Sequence, residues 1–98
     1  MGYKVGKAGV PQAQRRALLD DAFLDNVPSI NSREYMSEWG KPNTATRLRK
    51  MAHSIAEFAK IHKKHDPTKY AVAIKDWEAD LEYLRVTHYE GRFSFKWP

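Results

Sequence analysis

Cysteine is absent from the 98-residue chain, which removes disulfides, thiolate nucleophiles and cysteine metal ligands. No apolar run approaches the ~20 residues that a membrane-spanning helix requires, and no apolar segment of the secretory type follows Met1. The expectation is a cytoplasmic protein without a membrane role. The signatures of the common enzyme classes are missing too: there is no P-loop, dinucleotide fingerprint, metalloprotease helix or nucleophile elbow. The chain is therefore expected to be non-enzymatic, with no catalytic residue, no cofactor and no metal assigned. Repeats and low-complexity tracts are likewise lacking.

What is present suits one small folded domain. Hydrophobic residues make up 42% and aromatics 12%, against the composition of a disordered chain, and the length allows a single core. The net charge is +5. All of it is accounted for by residues 45–69, where Arg47, Arg49, Lys50, Lys60, Lys63, Lys64 and Lys69 face only Glu57 and Asp66. The flanking stretches nearly cancel. Positive charge gathered in this way points to an anionic partner.

Apolar spacing predicts an all-α fold. Residues 1–10, with three glycines, two lysines and no periodicity, read as a flexible arm. Pro11 can open a helix over 11–24, in which Leu18 and Leu19 pair with Ala22 and Phe23 while Arg15, Arg16, Asp20 and Asp21 mark the wet side. Asn31 or Ser32 can cap a short helix over 32–38. Asn43 or Thr44 caps a longer one over 44–65, with Leu48, Met51, Ala52, Ile55, Phe58, Ala59 and His62 on one face. Asp66 and Pro67 together signal the start of a fourth helix over 67–88. Its seam of Tyr70, Ile74, Trp77, Leu81, Leu84 and His88 steps by three and four, the spacing of antiparallel packing. The expected architecture is a small helical domain built on an antiparallel hairpin. The extended tail 92–98 should lie on it with Phe93, Phe95 and Trp97 facing inward. Val72, Ala79, Tyr83 and Val86 form a second apolar line on the last helix, which the hairpin alone cannot bury.

Several side-chain groupings carry chemistry. Gly40 between two helices suggests a helix-turn-helix, but Lys41 and Arg49 then occupy positions that such a motif keeps apolar. His62, His65 and Asp66 have ligand spacing on a helix, though two lysines between the histidines oppose a dication. Asp76, Glu78, Asp80 and Glu82 alternate, which on a helix sends neighbours to different faces and suits a partner-facing acidic surface better than acid–base catalysis. Arg47, Arg49 and Lys50 sit in the first turns of a helix, where cations oppose the macrodipole unless an anion or an internal carboxylate answers them.

Two functions of different class follow. In the first, the chain binds a polyanion, nucleic acid or a complex handling it, through Arg47, Arg49, Lys50, Lys60 and Lys64. In the alternative, it is an interaction module (an inhibitor, adaptor or mobile-element accessory protein) that docks on a larger protein machine, with Val72, Asp76, Asp80 and Tyr83 meeting the partner. An acidic protein surface or a larger nucleoprotein complex would fit the same charge pattern.

Overall fold

A computed structural model describes residues 3–24 and 39–98, and the short helix expected over 32–38 lies outside the described residues. The fold is all-α. Helix α1 runs Gln12–Leu24 and turns Arg15, Leu19, Ala22 and Phe23 inward. Helix α2 runs Ala45–His65, and the Thr44 hydroxyl caps it by accepting from the Arg47 amide at 3.3 Å. Immediately before it the chain passes through Gly40 at φ +71, where a Cβ would stand 2.8 Å from the Thr46 side chain. A residue with a side chain would be strained there both by conformation and by space.

Helix α3 runs Ala71–Leu84, four residues later than Asp66–Pro67 signalled. Those two residues start a turn of their own. The Asp66 carboxylate accepts the Lys69 amide at 3.0 Å, and Tyr70, at φ −102 and ψ 19, lets the chain reverse before the helix begins. The α-helix also ends early. Arg85–Tyr89 form one wider π-type turn, closed by the Glu90 amide on the Arg85 carbonyl at 2.9 Å, and this turn buries His88.

α2 and α3 form the antiparallel hairpin at the centre of the protein, and their interface is the largest between helices. Ring contacts record the direction: Phe58 stacks on Trp77 at 5.9 Å, while His62, further along α2, meets Tyr70 at the start of α3 at 4.5 Å. Leu48, Met51, Ile55, Ala59, Ile74, Trp77 and Leu84 are buried between the helices. Phe58 departs from the expected seam. It is 49% exposed and covers the edge of Trp77 rather than the centre of the core.

α1 crosses the far side of α3 and covers the middle of its second apolar line. The Tyr83 hydroxyl donates to the Asp20 carboxylate at 2.8 Å, and the Arg16 guanidinium lies 4.8 Å from the Tyr83 ring. His88 Nε2 meets the same carboxylate at 2.7 Å, and its ring packs on Phe23. The two ends of the line, Val72 and Val86, stay exposed.

The tail follows the alternation expected of it. Phe93, Phe95 and Trp97 are half-buried, whereas Arg92, Ser94 and Lys96 are exposed. Phe93 meets Phe23 edge-on at 6.4 Å, Tyr89 packs against both Phe95 and Trp97, and the Tyr89 hydroxyl donates to the Phe95 carbonyl.

The amino-terminal segment corrects the expectation of a flexible arm. Residues 3–10 dock along α3: the Gly6 amide donates to Asp76 at 2.9 Å and the Tyr3 hydroxyl to Asp80 at 2.7 Å. Gly6 holds φ +87, a conformation that favours glycine, at the start of a turn closed by the Gly9 amide on the Gly6 carbonyl at 3.0 Å, and its open side faces Ala73. The Val10 carbonyl accepts from Arg15 at 3.0 Å, which ties the segment to α1 as well.

Candidate nucleic-acid interface

The five cations assigned to a polyanion surface separate in the fold. Arg47 is fully buried, which removes it from any contact with a partner. Its guanidinium donates to the carbonyls of Ala22 and Gly40, each at 2.8 Å, and to that of Trp39 at 3.1 Å. Arg47 therefore joins the carboxyl end of α1 to the chain entering α2. Burial pushes the guanidinium below its ordinary pKa, and these three carbonyls receive its protons; Glu38, one of the carboxylates that could answer it, lies outside the described residues. A helical wheel carried a signal for this: Arg47 precedes Leu48 and stands one turn before Met51 on the core side.

The other four keep their outward placement. Arg49, Lys60 and Lys64 are exposed on the outer side of α2 and make no hydrogen bond or ion pair among the described residues. His53, also exposed, falls on the line between Arg49 and Lys60 and was not among the assigned contacts. Lys50 lies on the flank, its ammonium 5.8 Å from the centre of the Trp39 ring. Glu57 is the only acidic residue of the helix, so little within α2 offsets these charges. Arg49 and Lys64 lie roughly 22 Å apart along the axis at 1.5 Å per residue. The remaining lysine of the segment, Lys63, is paired with Glu78 of α3 at 2.7 Å and is directed away from this line.

Half of the acidic surface expected on α3 is turned inward. Asp80 is fully buried and holds Arg15 through two hydrogen bonds at 2.8 and 3.2 Å, with Tyr3 as a third donor. Asp76 accepts the Gly6 amide and lies 3.6 Å from Arg15. Tyr83 is bonded to Asp20. These three residues are internal contacts, not a partner-facing patch, because α1 and the 3–10 segment meet the carboxylates that an isolated α3 would expose. Of the four residues assigned to a protein partner, only Val72 is exposed. Glu78 and Glu82 do lie at the surface, paired with Lys63 and Arg85. Hydrogen bonding from Arg85 holds the Glu82 carboxyl below its ordinary range.

Arg15 was placed on the wet side of α1 and is instead buried. The Asp80 hydrogen bonds raise its guanidinium above the ordinary value, against the effect of burial. Its four-residue spacing from Leu19 was the available signal. Of the two histidines with ligand spacing, His62 is engaged within the fold: its ring packs against Tyr70 and Trp77, with Nδ1 bonded to the Phe58 carbonyl at 2.7 Å.

Comparison with protein-family models, with curated proteins and with solved structures finds no significant match. The functional reading therefore starts from the chemistry of these surfaces.

Proposed function

We propose that the protein binds the phosphate backbone of nucleic acid through the outer side of α2, with Arg49, Lys50, Lys60 and Lys64 as contacts. The observation that supports this is the line of exposed cations Arg49, Lys60 and Lys64, with the half-buried Lys50 on its flank, along a 21-residue helix whose only acidic member is Glu57. Flexible lysine ammoniums and an arginine guanidinium on a rigid rod suit phosphates spaced along a strand, and the counterions they displace drive association. The same side of the helix carries no asparagine or glutamine positioned to read base edges, so binding is largely indifferent to sequence. The reading involves no catalytic step.

A gel-shift titration on duplex and single-stranded oligonucleotides near ~50 mM salt tests it. Four phosphate contacts on duplex DNA give a log–log salt slope of about −3.6. The double reversal R49E/K60E should weaken binding to all sequences alike and flatten that slope by about two contacts' worth. No shift of any oligonucleotide at high micromolar protein would reject the proposal and favour an acidic protein partner for this helix.

A further inference from the structure

An open groove of about 530 Å³ lies where the 3–10 segment meets the turn end of the helical hairpin. Its walls are Phe58 and His62 of α2, Tyr70 before α3, and Val72, Ala73 and Trp77 of α3, closed on one side by Tyr3, Val5 and Gly6. Lys4, Lys7 and Lys69 also line it, and no carboxylate does among the described residues. Phe58 and Val72 are exposed at 49% and 40%, so apolar surface faces solvent inside a ring of ammonium groups. This groove lies on the flank of α2 away from the Arg49–Lys64 line and is a separate surface.

We propose that the groove is a docking site for an acidic peptide segment of a partner protein, which inserts one apolar side chain between Phe58, Trp77 and Val72 while its flanking carboxylates meet Lys4, Lys7 and Lys69. Charge complementarity selects an anionic occupant. The walls select an apolar anchor over an unpaired nucleobase. Tyr3 Oη is committed to Asp80, the Gly6 amide to Asp76 and His62 Nδ1 to the Phe58 carbonyl. A base would bring a hydrogen-bonding edge to walls where these three groups are already bonded within the fold, leaving only the rim to meet it, and each unmet group would weaken it. A hydrocarbon or aromatic side chain brings none. Ring faces and a polar rim around a central anchor match the anatomy of small protein interfaces.

The test uses arrayed pools of degenerate decapeptides with a fixed central Phe, Leu or Ser and with either Glu/Asp or Lys/Arg flanks. Binding to the full chain is read by fluorescence anisotropy, with Trp77 emission as a groove reporter. Acidic pools with Phe or Leu should bind, and replacing the anchor by Ser or the flanks by Lys/Arg should abolish binding. The exposed double reversal K4E/K7E should weaken binding about tenfold, and a rise in salt should weaken it too. F58A should lower affinity for the Phe and Leu pools without changing the circular dichroism spectrum. R49E/K60E should leave peptide binding intact, which separates this site from the proposed nucleic-acid surface. Equal binding of the Ser and Phe acidic pools would overturn the proposal, since charge alone would then explain it. Binding of no pool at high micromolar protein would overturn it as well. So would single-stranded DNA binding that F58A and K4E/K7E abolish while R49E/K60E does not, which would make the groove a base-binding site.

Discussion

Replacing Arg47 separates a structural cation from a binding one. In R47M the apolar stem is kept and the guanidinium removed, so the carbonyls of Ala22, Trp39 and Gly40 lose their donor. Hydrogen bonds to a charged group contribute about 1.5–3 kcal/mol each, which sets an upper bound of about 5–9 kcal/mol for the three. Two effects reduce that sum. Burial of the guanidinium is itself unfavourable, as its lowered pKa records, and methionine avoids it. Water can also reach the Trp39 and Gly40 carbonyls, whose bonds to Arg47 are partly exposed, whereas the bond to Ala22 is buried. The expected net loss is about 2–4 kcal/mol, a large share of the ~5–10 kcal/mol typical of a domain this size. Urea unfolding followed by circular dichroism and by tryptophan fluorescence measures it. R47K should recover only part of the loss, because one compact ammonium cannot span three carbonyls that the planar fork reaches together. R49A, at an exposed site, should change stability by less than about 0.5 kcal/mol and should instead weaken nucleic-acid binding. If R47M unfolds like the wild type but loses oligonucleotide affinity, Arg47 is a surface contact and the assigned packing of α1 against the α2 entry is wrong.

Stability should fall in alkali. Burial and then the neighbouring carboxylate raise the Tyr3 phenol (beside Asp80) and the Tyr83 phenol (beside Asp20) above their ordinary value of 10.0, so the folded chain keeps protons that the unfolded chain releases above that pH. Their contribution is complete below pH ~10 and is lost as pH rises through the higher folded values; urea midpoints measured from pH 8 to 11 should drop at the top of that range, and less steeply in Y3F. Deleting residues 92–98 should lower the melting temperature by several degrees and increase dye binding to apolar surface, since Phe93, Phe95 and Trp97 leave Phe23 and Tyr89 uncovered. An unchanged melting temperature would show that the tail does not close the core.

The hairpin was legible because its determinants are local and periodic. Leu48, Met51, Ile55 and Ala59 repeat at helical spacing, Thr44 is an N-cap, and Ile74, Trp77 and Leu84 continue the pattern on the returning helix. The 93, 95, 97 alternation was legible for the same reason. The turn at 66–70 was less so, because Asp-Pro signals the start of a turn or of a helix equally well.

The destination of each charge was hidden by a different physical cause. A side chain's formal charge is a local property, but its burial depends on groups brought close from far along the chain. Asp80 is 65 residues from Arg15 and 77 from Tyr3, and Ala22 is 25 from Arg47. A count of charges on α3 reads as an acidic surface only while α1 and the 3–10 segment are absent. Once they dock, Asp76 and Asp80 are spent internally, but so are Arg15 and Arg47, so the docking redistributes the surface charge rather than changing its sum. The segment with least periodicity, 3–10, thus has two consequences: it hydrogen-bonds Asp76 and Asp80 of α3, and it carries Lys4 and Lys7 to the groove beside Trp77. The same docking that removes a candidate acidic surface therefore completes a basic one.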